Sequence, residues 1–179
     1  MRFTATKLEG ARVIQPQYHE DNRGLFARTY CAREFREQGL VDTFVQCNTS
    51  WNARRGTIRG LHYQDPPSAE VKLVRCTGGT LLDVIVDLRP DSATNLQHFA
   101  VELTAKNRLA LYIPQMFAHG IQALEDGTEA FYQMSEFYAP NLARGLSYDD
   151  PKLGIRWPLP VPPFPSRPHW AFVEIKFPR

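Results

Sequence analysis

From Phe44 to Tyr138 the chain falls into short runs of strand-forming residues: Phe44 to Asn48, Thr57 to Tyr63, Val71 to Cys76, Thr80 to Leu88, Phe99 to Leu103, Leu109 to Ile113, Gly120 to Leu124 and Ala130 to Tyr138. Turn residues punctuate them at intervals of about ten residues, the rhythm of an all-β sandwich or barrel rather than of βαβ units. The runs therefore predict an all-β fold, a small antiparallel barrel of the jelly-roll or cupin-like kind. A chain of 179 residues with 43% apolar residues can bury one sizeable core, and nothing resembling a repeat or a long linker divides it. One domain over residues 1–179 is expected, with an N-terminal arm (1–20) and a distinct C-terminal tail (159–179).

The flanks carry weaker signals. The segment through Pro16 alternates loosely and reads as an edge strand. Asp21-Asn22-Arg23-Gly24 is a turn followed by a strand from Leu25 to Tyr30. One short peripheral helix is expected from about Ala32 to Gln38, stopped by Gly39. Gly78-Gly79 suggests a tight hairpin spanning Lys72 to Leu88. In that register Lys72 falls opposite Ile85 and diagonal to Asp83, while Leu82, Val84, Val86 and Leu88 face the other way. After Tyr138, Gly154-Ile155-Arg156-Trp157-Pro158 reads as a final docking segment. Six of the 14 prolines then lie between Pro158 and Pro168, which rules out helix and interior strand there.

Charge and cysteine usage exclude several functions. The formal net charge of +2 is small and the basic residues are spread out, so no nucleic-acid partner is indicated. Cys31, Cys47 and Cys76 are odd in number and contain no CxxC pair, which argues against a disulfide framework or a zinc site and fits a reducing cytoplasm. Met1-Arg2-Phe3-Thr4 opens without an apolar signal core. The strongest apolar run, Leu81 to Leu88, is broken by Asp83 and Asp87, so no membrane partner is expected.

The chemistry concentrates in Arg59-Gly60-Leu61-His62-Tyr63-Gln64 and the nearby Lys72. In a regular strand Arg59 and His62 would face opposite sides; they share a side only across a bend, and Gly60 is where a bend or a close backbone approach is tolerated. His62 is either a satisfied core histidine or a base, and cations at Arg59 and Lys72 would keep it neutral, as a base near neutral pH requires. His119, in Phe117-Ala118-His119-Gly120, is either a hydrogen-bonding residue of a turn or a second imidazole lining the same site. A metal-dependent cupin would need an HxH pair, a glutamate and a third histidine. Here Gln64 stands where the second histidine would be, so no metal and no cofactor are expected. Tyr132 is either core packing or a general acid whose phenol is eased by cations such as Lys72. A base, an acid and a cation able to hold an oxyanion suit proton transfer beside a carbonyl.

From about Asp21 to Pro158 the chain resembles the dTDP-4-dehydrorhamnose 3,5-epimerases. The matching pieces are Asp21 to Phe26, Phe44 to Asn48, Arg59 to Gln64, Lys72 to Arg75, Asp83-Val84 with Asp87 to Arg89, Ile113-Pro114 with Phe117 to Gly120, Tyr132 with Tyr138, and Asp149 to Pro151 with Trp157-Pro158. The resemblance implies a cupin-like homodimer acting on a thymidine-diphosphate 4-keto-6-deoxyhexose. By position, it makes His62 the base, Tyr132 the acid and Lys72 the enolate stabiliser with His119 close by. It assigns Arg59 and Arg23 to the diphosphate, Gln46 and Asn48 to the nucleotide, Phe26 to substrate binding and Tyr138 to stacking on the base. Members of the family carry an aspartate beyond the Trp-Pro that orients the histidine; here the tail reads Pro165-Ser166-Arg167-Pro168-His169, and Glu174 is the only acid after Asp150. Asp83 is the candidate substitute as partner of His62, since the hairpin geometry puts it on the face of Lys72; the alternative is that Asp83 and Lys72 pair with each other.

Overall fold

The computed structural model describes residues 1–161. The tail from residue 162, including His169 and Glu174, lies outside the described residues. Thirteen strands and one helix are described: β1 (Arg2–Ala5), β2 (Arg12–Gln15), β3 (Tyr18–Asp21), β4 (Gly24–Ala27), α1 (Ala32–Glu37), β5 (Gln46–Asn52), β6 (Ile58–Gln64), β7 (Lys72–Gly78), β8 (Thr80–Asp87), β9 (His98–Thr104), β10 (Ala110–Ile113), β11 (Phe117–Ala123), β12 (Thr128–Met134) and β13 (Ala143–Gly145). A six-stranded sheet runs β1-β2-β10-β7-β12-β5, and a five-stranded sheet runs β13-β6-β11-β8-β9. Every ladder is antiparallel. From β5 to β8 and again from β9 to β13, consecutive strands alternate between two facing sheets, the jelly-roll arrangement that the strand rhythm predicts.

Three apolar clusters hold the layers together. The main core lies between the sheets, where Val74, Leu111, Ile113 and Ala130 of one meet Leu81, Ile85, Leu103, Phe117 and Ile121 of the other. On the outer side of the six-stranded sheet, Leu73, Ala110 and Tyr112 pack beneath Phe35 of α1. Phe35 is fully buried and sits within edge-on contacts to Phe3, Tyr30, Phe44 and Tyr112. So short a helix is held by that aromatic anchor rather than by its own propensity. The outer side of the five-stranded sheet is covered by Ile155 and Trp157 of the segment predicted to dock, together with Leu146 and Leu153 ahead of it, all packing with Leu61, Val86 and Ala118. Trp157 Nε1 also donates to the Tyr148 carbonyl at 2.8 Å.

The structure corrects the predicted Lys72 to Leu88 hairpin. Strand β7 pairs with β10 and β12, whereas β8 pairs with β9 and β11. Gly78-Gly79 is therefore a corner where the chain passes from one sheet to the other. Gly79 takes φ +70°, and a Cβ there would meet Thr128 Oγ1 at 2.8 Å. A hairpin turn and this corner both call for a glycine free to take the left-handed backbone, which Gly79 does, so the local signal is shared and only the strands' other partners separate the two. Strand boundaries differ too: β4 ends at Ala27, β5 runs from Gln46 to Asn52, and β11 begins at Phe117, which puts His119 within a strand. Strand β12 stops at Met134, leaving Tyr138 in the following loop, and β3 and β13 had no clear sequence signal.

The division of faces along β8 does hold. Leu81, Asp83, Ile85 and Asp87 lie on the interior side with no exposed surface among them. Burial pushes the Asp87 carboxyl up, yet hydrogen bonds from Arg89, Ser92 and Thr94 outweigh it and hold the group at about 2. That network clips the chain after β8, and Arg89 also lies 4.8 Å above the Phe117 ring.

Candidate active site

Gly60 and Gly120 decide what the site contains. Strands β6 and β11 pair His62 with His119 and Arg59 with Ile121, with a register shift between the two pairs. Gly60 and Leu61 on one strand thus oppose Gly120 alone on the other, which is a bulge. The extra residue puts Arg59 on the side of Ile121, a member of the interior core, and leaves His62 on that side too. Leu61 turns outward into the cluster beneath Trp157. Only glycines allow the approach: a Cβ on Gly60, at φ +120°, would lie 2.5 Å from Gly120 Cα, and one on Gly120 would lie 2.9 Å from the Arg59 carbonyl oxygen.

His62 is mostly buried, and that burial, then Lys72, His119 and Arg59, lower its pKa from 6.5 to about 4. Its imidazole is neutral at neutral pH and able to accept a proton. The unfolded chain binds more protons than the folded one between these values, so His62 makes stability rise with pH from about 4 to about 6.5. Urea denaturation at pH 4.5 and 6.5 is expected to show that rise, and the His62→Gln protein to lose this part of it.

Opposite His62, Nε2 of His119 lies 3.0 and 3.1 Å from the two carboxylate oxygens of the fully buried Asp83. Asp83 is thus paired with His119, and its expected place beside Lys72 in a hairpin is corrected. Asp83 and His119 stand on adjacent strands of one sheet, and Lys72 belongs to the other.

Lys72 enters from β7. Its Nζ forms an ion pair with Glu70 and donates to the His62 carbonyl oxygen at 3.5 Å, reaching from the six-stranded sheet to the five-stranded one. Both Lys72 and Glu70 are buried. Glu70 escaped the sequence reading, although its place two residues before Lys72 puts it on the same side of an extended chain.

Tyr132 of β12 sits opposite Asn48 of β5 and packs at the margin of the interior core. Burial raises its phenol pKa above 10 and only Arg59 works against this, so the phenol keeps its proton. The expected easing by Lys72 is corrected: burial prevails, and the cation that acts is Arg59. Strand β5 presents Gln46, Asn48, Ser50 and Asn52 inward and leaves Cys47, Thr49 and Trp51 exposed. Gln46 Nε2 donates to Asn48 Oδ1 at 3.2 Å, and Gln46 Oε1 accepts from the Tyr138 amide at 3.2 Å, which ties the half-exposed Tyr138 to the rim. Arg59 is braced by Asn52 Oδ1 at 2.7 Å and the Trp51 carbonyl at 3.3 Å. Asn52 is a second residue missed; its signal is the run of small polar residues at every second position of β5.

Arg23 and Phe26 are not brought to this group. They ride on the β3-β4 hairpin, which pairs with neither large sheet. Phe26 is 74% exposed and Arg23 pairs with Asp21 at 2.6 Å. Among the described residues no three side chains of His, Cys, Asp or Glu converge to hold a metal ion. Nor is any described helix long and apolar enough to cross a membrane.

The family model for dTDP-4-dehydrorhamnose 3,5-epimerase matches residues 5–170. The enzyme of that name from Methanothermobacter thermautotrophicus is 43% identical over 159 residues, covering 88% of this chain and 84% of that one. The Bacillus anthracis enzyme, solved with TDP and PPi bound, superposes with TM-score 0.88 at 37% identity, covering 90% and 92% of the two chains. An epimerase from Legionella pneumophila, solved in complex with dTDP-4-keto-L-rhamnose, gives TM-score 0.85 at 35% identity, covering 92% and 88%. With the family model spanning most of its length and relatives of this similarity covering nearly all of it, the chain belongs to the dTDP-4-dehydrorhamnose 3,5-epimerase family.

Proposed function

We propose that this protein epimerises a dTDP-4-keto-6-deoxyhexose at carbons 3 and 5 by proton transfer through an enolate. The observation that carries this reading is the placement of a neutral imidazole and a protonated phenol on facing sheets, His62 on β6 and Tyr132 on β12. Inverting a carbon requires a proton to leave one face and return to the other, which an acid and a base on opposite walls can do. His62 removes the proton beside the ketone. The Lys72 ammonium meets the charge that develops on the ketone oxygen, with His119 near it, and Tyr132 delivers the new proton. Arg59, braced by Asn52, holds the diphosphate; Gln46 and Asn48 place the nucleotide, and Tyr138 stacks on thymine.

Arg23 and Phe26 fit this scheme as substrate-binding residues if the exposed hairpin reaches the site of a second copy. We therefore assign the protein as a homodimer, for which light scattering is expected to return twice the chain mass and a monomer would count against it. The cytoplasm is the proposed location, since all three cysteines are free thiols and a reducing compartment keeps them so.

The test is proton NMR of dTDP-4-keto-6-deoxyglucose incubated with the protein in heavy water. Deuterium entering at carbons 3 and 5 is the expected result. Entry at one carbon would assign a single-centre epimerase, and binding without entry would leave a nucleotide-sugar-binding protein in place of an enzyme.

A further inference from the structure

We infer that Glu70 is a positioning residue for the reaction, the group that keeps Lys72 charged and fixes which of its N–H groups meets the oxyanion; this rests on the epimerase reading above. The inference begins with the pattern of the residues that lead into β7. Val71 and Leu73 belong to the cluster beneath α1, so the alternate positions, Glu70, Lys72 and Val74, turn toward the space between the sheets. Glu70 and Lys72 thereby become neighbours on one face, and the side chains pair with 3% and 9% of their surfaces exposed.

The pair is poorly made for stability. One carboxylate oxygen of Glu70 holds the ammonium, while the other, Oε2, is buried without a hydrogen-bond partner among the described residues. A buried carboxylate with half of its acceptors unused is a net burden on the fold, and replacing such pairs by apolar residues often costs nothing. Its value here is electrostatic. A buried ammonium tends toward its neutral form, which cannot stabilise an enolate, and an adjacent carboxylate opposes that tendency. The pair also sets direction. A lysine ammonium has three N–H groups on a flexible stem. Glu70 takes one and the His62 carbonyl oxygen takes a second at 3.5 Å, which leaves the third for the substrate. The same contact links Lys72 to the backbone of the base, so Glu70 holds the cation in a fixed relation to His62.

The Glu70→Gln protein separates charge from shape, since the amide can still accept a hydrogen bond from Lys72. For this variant kcat/KM is expected to stay within about threefold of wild type near pH 6 and to fall at higher pH, its alkaline limb displaced downward by about one pH unit or more. KM should change little, because Glu70 acts through Lys72, with which it pairs. Glu70→Asp, which retains the charge, is expected to restore much of the limb and keeps the test decisive if the glutamine protein folds poorly. Superimposable alkaline limbs in wild type and both variants would overturn the inference, as a purely structural role lowers stability without moving a pH profile. A second readout needs no turnover: in protein labelled with 13C at the lysine ε carbons, the Lys72 resonance, assigned by its loss in Lys72→Arg, should titrate at lower pH in Glu70→Gln than in wild type. An unchanged titration would reject the role of Glu70 even in an active enzyme. A wild-type protein that exchanges no deuterium would instead remove the epimerase reading, while the resonance still reports whether Glu70 governs the charge.

Discussion

Replacing His62 by asparagine is expected to lower the rate of deuterium incorporation by about a thousandfold or more, the scale of a positioned general base, while binding of dTDP is retained. Asparagine fills much of the imidazole's volume and can hydrogen bond, but it takes up no proton. In wild type His62, the proposed base, is neutral down to about pH 4 because burial, Lys72, His119 and Arg59 all disfavour the imidazolium. In the proposed mechanism proton removal creates that disfavoured imidazolium, so the developing negative charge beside Lys72 must stabilise it for the step to proceed. The two charges form and vanish together, which is why the loss of either should be severe. Tyr132→Phe provides the contrast: the base remains, so deuterium still exchanges, but inversion is lost when no phenol stands on the opposite wall to return the proton. Wild-type exchange rates in the His62→Asn protein would place the base elsewhere and sink the assignment.

The second large effect is structural and falls on the same strand. Gly60→Ala is expected to destabilise the fold by at least about 3 kcal/mol, from a side chain forced to positive φ and a Cβ driven into backbone. The closest atom is Gly120 Cα at 2.5 Å, followed by the His119 carbonyl oxygen at 2.6 Å, and neither can be relieved by rotating a side chain. Relief requires β6 and β11 to separate, which would undo the bulge that brings Arg59 and His62 to one side. Any protein that still folds should therefore lose activity beyond its loss of stability. Urea denaturation with m-values alongside deuterium exchange would measure both, and a variant with wild-type stability would show that the close approach is dispensable.

Much of this architecture is legible without coordinates, for reasons local to each segment. The eight strand runs stand out because alternation and turn residues are properties of a few consecutive residues. The helix at Ala32–Glu37 is marked by its glycine stop, and Gly39 does take the left-handed conformation, at φ +67°. The segment around Trp157 is recognisable because a tryptophan among turn residues needs an apolar surface to cover. Gly60 was identifiable as the point of bending because a histidine and an arginine three residues apart in a strand cannot otherwise share a side.

Pairing between distant segments was not legible. Gly78-Gly79 suits a hairpin turn and a corner between sheets alike, since each calls for a glycine free to take positive φ, and the choice rests on whether β8 finds β7 or β9 and β11 more favourable to pair with. That choice moved Asp83 away from Lys72 and onto His119, and gave Lys72 to Glu70. Ion pairs depend on three-dimensional distance, which for residues on different strands is set by register and not by spacing along the chain. Sequence alone thus determined the all-β class, the resemblance to its family and the residue types able to carry proton transfer. Only the tertiary structure decided that Asp83 lies against His119 and Glu70 against Lys72, because it alone fixes how the two sheets face each other and which polar groups share the water-poor space between them.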